Sequence, residues 1–141
     1  MNIAVTVARL LLGLLFVAAG AAGLLIASPH QPGLAGQFTA LVYATHFMNF
    51  ISSAQLLLGA LLLVNRFVPL ALIMLAAFIY NSFAFHLTMA PRAVFAPVVV
   101  ATLWLLVALK YRPLFALLFA AKAGTAANGA PPQSRVIHQA V

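Results

Sequence analysis

Four long apolar stretches, with Arg9 the single charged residue inside them, dominate the sequence from Val5 to Leu109. About 20 consecutive apolar residues let an α-helix cross the hydrocarbon core of a bilayer. The stretches cover about residues 5–27, 47–64, 69–87 and 93–109. Of the 141 residues 66% are hydrophobic and 5% charged, against roughly a quarter charged in an ordinary soluble domain, so no water-soluble fold could cover the apolar surface. In lipid every backbone polar group must be bonded within its own helix. Residues 1–121 therefore read as one transmembrane domain, an all-α bundle of four transmembrane helices.

The breaks between the stretches agree with this division. The first closes at Ser28-Pro29. Arg9, the run Leu10 to Ala19 and the small residues after it also mimic the three zones of a cleaved signal peptide, but the apolar run continues to Ala27. The next loop, to His46, holds two prolines, two glycines, two histidines and no Lys or Arg. Its part from Leu34 to Tyr43 is expected to form a short interfacial helix. Asn65-Arg66 closes the second span, Pro69 opens the third, and Pro91-Arg92 separates the third from the fourth. Pro69 suits a first helical turn, where its missing N–H has no partner to lose, and Pro97 falls early enough in the fourth span to be tolerated. After Lys110-Tyr111-Arg112-Pro113, the segment Leu114 to Ala121 is too short to cross and is expected to lie along the headgroup boundary with Phe115 and Phe119. The Gly-, Ala- and Pro-containing residues 122–141 are expected to be a disordered tail.

Four spans put both termini on one side. Arg9, Arg66, Lys110, Arg112, Lys122 and Arg135 then face Arg92 alone across the membrane, and the excess of Lys and Arg marks the cytoplasmic side. Both termini and the tail are expected in the cytoplasm.

The chain has seven Lys and Arg residues and no Asp or Glu. Paired carboxylates for acid–base catalysis, carboxylate metal cages and acidic proton relays are thereby excluded. The cations stand one or two at a time between apolar runs, as topology signals and lipid-headgroup contacts do, so nucleic acid is not an expected partner. No cysteine is present to supply a disulfide, a thiolate ligand or a nucleophile.

A few polar residues remain as candidates. At about 100° per residue Arg9, Gly13, Phe16, Gly20, Gly23 and Ala27 share one face of the first span. Such a small-residue face lets another helix approach closely; the alternative is room for a flat ligand. On the second span Met48, Ser52, Gln55, Gly59 and Leu62 share a face, with Asn49 and Ser53 beside it. Gln55 and Ser52 either hydrogen-bond between helices or line a cavity for a small polar or quinone-like molecule. The third span carries Tyr80, Asn81, Ser82 and His86, so Ser52, Tyr80 and Asn81 are the candidate cavity residues. His30, His46 and His86 fall at similar depth in this topology and are weak metal candidates; two facing imidazoles could also hold a haem.

The ordered segments Arg9-Leu-Leu-Leu-Gly13-Leu-Leu-Phe16-Val-Ala-Ala-Gly20, Gln55-Leu-Leu-Leu-Gly59, Asn65-Arg66-Phe67-Val68-Pro69-Leu70 and Asn81-Ser-Phe-Ala-Phe-His86-Leu resemble the DoxX family of small four-helix bacterial membrane proteins. The resemblance covers about Val5 to Pro113 and implies a multi-pass protein of the bacterial inner membrane. Members are named after a subunit linked to quinol oxidation or thiosulfate:quinone oxidoreduction, and others are associated with oxidative-stress membrane complexes. Gln55 stands where the family typically has a glutamate, and Gly23 where many members have a lysine. Only Arg9, Gln55 and His86 carry over as functional positions. The expectation is a non-catalytic accessory or structural component of a membrane redox or oxidative-stress complex, without a cofactor, whose partners are the lipid bilayer and a redox enzyme or further copies of itself. One alternative is a redox subunit holding haem or quinone near His46, His86 and Tyr80. A second is a small transporter or channel lined in an oligomer by Asn49, Gln55 and Asn81.

Overall fold

A computed structural model describes residues 3–26 and 31–116. Helix α1 (Ile3–Leu25) is followed by α2 (Gly33–Ala44), α3 (Phe47–Leu63) and α4 (Val68–Met89). A 3₁₀ turn (Pro91–Ala93) leads into α5 (Phe95–Lys110), and α6 (Arg112–Ala116) ends the described chain. Among the described residues there is no strand.

Three helical segments, α1, α4 and the 3₁₀ turn with α5, are each long and apolar enough to cross a membrane. Helix α3 has 17 residues, about 26 Å at a rise of about 1.5 Å per residue, near the lower limit for a crossing. It meets α2 at 87°. The corner is made by the backbone: Thr45 closes α2 with its Oγ1 donating to Leu41 O at 2.8 Å, and His46 takes a left-handed conformation with φ 58°. The turn between α3 and α4 uses the same device at Asn65 and Phe67, φ 57° and 52°.

The expected elements are present with shifted ends. The second helix of the sequence runs Gly33–Ala44 instead of Leu34 to Tyr43, and lies across the end of the bundle with Phe38 against Phe85, ring centroids 5.9 Å apart. The terminal helix starts at Arg112, not Leu114, because Pro113 fits a first helical turn as well as a break. Phe119, the proposed tail at 122–141, Ala27 and His30 lie outside the described residues.

The bundle is built on the pair α1 and α3, which run antiparallel in close contact. Along the seam Arg9 meets Leu62 and Leu63, Gly13 meets Gly59, and Gly20 and Gly23 meet Ser52. A Cβ on residue 59 would stand 2.8 Å from Gly13 O and 2.9 Å from Val17 N, so the two backbones cross where neither carries a side chain. The small-residue face of the first span is thus a helix-packing face. Helix α5 packs on α1 and α4, and α4 on α3, closing a ring of four helices. Leu12, Leu62, Leu72, Leu75 and Val107 fill its axis with no exposed surface.

The outside is as apolar as the inside: Leu14, Leu57, Leu70, Leu105 and Leu109 are all exposed. Lipid tails are as apolar as leucine, so packing and interhelical hydrogen bonds must hold such helices together. One such bond joins α5 to α4, from Trp104 Nε1 to Leu72 O at 2.8 Å. Bonds of this kind contribute about 0.6 kcal/mol on average in membrane proteins.

Candidate functional site

Arg9 is the one cation inside an apolar stretch, and its side chain is 7% exposed. No acid exists to pair with it. Instead Nη1 donates to Leu62 O and, at 3.3 Å, to Leu63 O. These carbonyls belong to the last turn of α3, where a helix leaves acceptors without intrahelical donors and carries the negative end of its dipole. The guanidinium therefore caps α3, and the helix end takes the place of a carboxylate. Its Nε remains buried without a partner among the described residues.

Ser52 is fully buried in the α1–α3 seam, and its Oγ has no partner among the described residues. A Cβ on residue 23 would overlap that Oγ and come within 2.9 Å of Met48 Cε. Glycine at 23 and serine at 52 thus fit as a pair, and a lysine at 23 would have to displace the neighbouring helix.

Gln55, on the same face of α3, lines a partly open pocket of about 170 Å³ formed by all four long helices. Phe16 from α1, Phe78, Ile79 and Ser82 from α4, and Pro97 from α5 form its walls. Phe16 and Phe78 meet edge to face with centroids 6.4 Å apart. The Gln55 amide makes no hydrogen bond within the described residues. Ser82 is the other polar wall residue; its Oγ lies 3.5 Å from His86 Nδ1, while that nitrogen is 2.8 Å from Ser82 O. His86 thus leans back on its own helix, edge-on to Phe85.

The candidates Ser52, Tyr80 and Asn81 do not share a cavity. Ser52 sits in the seam, while Tyr80 is 75% exposed beside a shallow apolar groove between α4 and α5, and Asn81 is exposed with Nδ2 donating to Ala77 O at 2.9 Å. Ser82, which the sequence placed on the third helix without assigning it to the cavity, is the α4 residue that faces Gln55. His46 is exposed at the α2–α3 corner. Neither it nor His86 belongs to a group of three metal-ligating side chains among the described residues, and His30 lies outside them. Asn49 and Asn81 are exposed while Gln55 is half-buried, so within one chain the three do not line a common path.

Chemically the pocket offers a carboxamide and a hydroxyl among apolar side chains, which can orient a neutral molecule by hydrogen bonds. Comparison with protein-family models, with curated proteins and with solved structures finds no match for this chain.

Proposed function

We propose that this chain is a four-span protein of the bacterial inner membrane, similar to DoxX proteins, with both termini in the cytoplasm and a non-catalytic, accessory role in a membrane redox or oxidative-stress complex. The observation that carries the reading is how the polar side chains are used. Arg9 caps α3, Ser52 sits against Gly23, Asn81 and His86 bond their own helix, and His46 turns a corner on the surface. What is left facing the pocket is the Gln55 amide, which is no acid, base or nucleophile at neutral pH, and the Ser82 hydroxyl, for which the chain has no Asp or Glu to complete a nucleophilic relay. In this reading α2 lies along the membrane surface, α3 is the second span, and α1 is the helix against which it packs. A cleaved signal peptide would remove the central seam.

The four-span topology has a clean test because the chain has no cysteine. With Gln31→Cys a membrane-impermeant maleimide added to intact spheroplasts should label the protein, and with Val64→Cys only after lysis. The reverse pattern would invert the topology, and labelling of both from outside would remove a span. The accessory role is tested by purification in mild detergent. A colourless preparation carrying a stoichiometric partner subunit supports it, and a Soret band or a stoichiometric metal overturns it.

A second reading, a small-ligand subunit, has the unpartnered Gln55 amide in its favour. A cavity of about 170 Å³ is comparable to the roughly 150 Å³ that holds benzene in an engineered core and below the roughly 300–1,000 Å³ of ordinary cofactor pockets. It suits a single ring such as a quinone head, not a haem. Gln55→Leu separates the two readings. In an accessory bundle it should change stability by no more than about 1 kcal/mol, measured as thermal unfolding in detergent, whereas in a ligand subunit it should abolish recovery of quinone by solvent extraction.

A further inference from the structure

Asn81 is the fourteenth of the 22 residues of α4, near the middle of a helix apolar and long enough to cross a membrane, yet its side chain is exposed on the outside of the bundle. A carboxamide has two N–H donors and a carbonyl acceptor. One donor is used on Ala77 O at 2.9 Å. The second N–H and Oδ1 have no partner among the described residues, and at that depth no water is present to supply one.

We propose that the outer face of α4 around Asn81 is the contact between two copies of this chain, sealed by reciprocal Asn81–Asn81 hydrogen bonds. Two copies inserted in the same direction are related by a two-fold axis along the membrane normal, which brings residue 81 of each to the same depth. The groups left over on one amide are the complement of those on the other. Each free N–H donates to the Oδ1 of the opposite copy, and both unmet groups are satisfied at once. A single apolar partner helix would leave them as they are. Ala77 and Ala84, one turn to either side, are exposed and small, so the backbones can come close enough for two short side chains to meet. The groove of about 310 Å³ that Tyr80 lines between α4 and α5 adjoins this face and gives protruding side chains of the other copy room.

This inference rests on the membrane-spanning reading above, and its test separates the two. Ala84→Cys, and in a second variant Ala77→Cys, is introduced into the cysteine-free chain and oxidised with copper phenanthroline in native membranes, with Leu14→Cys on the exposed side of α1 as the control. The expected result is a disulfide-linked species of twice the chain mass from both α4 variants and none from the control. Adding Asn81→Leu should lower the cross-linked fraction about tenfold, the size of two lost interhelical hydrogen bonds. A portion of each membrane sample is washed with alkaline carbonate. Chain that stays in the pellet without cross-linking overturns the dimer, and chain that cross-links equally well with Asn81→Leu overturns the Asn81 seal; both leave the membrane reading standing. Chain released by carbonate overturns both. A cross-linked product of any other mass assigns the face to a different partner and overturns the dimer.

Discussion

Gly20→Ala is expected to destabilise the purified protein by about 1–3 kcal/mol, the usual cost of forcing a methyl group into a packed contact. The added Cβ would stand 2.6 Å from Ser52 O and 2.9 Å from Leu56 N. Both are backbone atoms, so no rotamer change relieves the overlap and α1 must move away from α3. Gly59→Ala should behave alike, since it meets Gly13 O and Val17 N. Gly13→Ala should cost less, because its shortest contact, 2.9 Å, is to the flexible end of Leu63 and its backbone contact, Gly59 O, is at 3.0 Å instead of the 2.6 Å met at Gly20. Ala18→Leu, on the exposed side of α1, is the control and should be silent. Thermal unfolding in one detergent orders the four variants. Equal, small effects for all of them would mean that the seam is looser than its geometry.

Arg9→Met should cost about 1–2 kcal/mol by the same measurement, with Arg9→Lys recovering part of the loss. Two effects compete. Hydrogen bonds to a charged donor contribute about 1.5–3 kcal/mol, and the variant leaves Leu63 O without the donor it has in the native bundle. Against that, the variant no longer buries a guanidinium whose Nε is unsatisfied, which returns part of the cost. The balance favours arginine because Leu63 O would remain orphaned where water has little access, while Leu62 O keeps the Asn65 N–H at 3.3 Å. Lysine keeps the charge at the helix end but has no planar fork to span two carbonyls. A more stable Arg9→Met variant would show that burial of the charge outweighs its bonds, and would return Arg9 to the functional candidates.

The apolar stretches and the prolines between them were enough to locate the helices, because runs of this length have few other solutions in lipid. The α1 seam was legible for a related reason, since glycines at helical spacing are conspicuous among leucines. Arg9 was legible as an anomaly, but its partner is a row of backbone carbonyls, which no residue type announces. What stayed hidden was the rotation of α4. Tyr80, Asn81 and Ser82 are consecutive and point about 100° apart, and an all-round apolar helix has no polar side to decide which of them turns inward. In the bundle Ser82 faces the pocket between the helices, while Tyr80 and Asn81 are exposed. A turn between the interfacial helix and the second span was implied, but the residue that makes it was not, because a histidine with φ 58° carries none of the signal that a glycine would.

The short third helix has a consequence for the membrane around it. At about 26 Å it stands beside α4, whose 22 residues make about 33 Å, and the crosswise α2 occupies the missing height at one end. In the proposed topology the apolar belt of the bundle is therefore uneven, thinner around α3 than around α4. A bilayer thin enough for α3 makes α4 tilt, and one thick enough for α4 is pinched at α3, each at a fraction of a kcal/mol per Å. Hydrophobic mismatch of this kind makes the orientation of the bundle respond to lipid chain length, and it gives neighbouring proteins with an equally uneven belt a reason to gather beside the thin side.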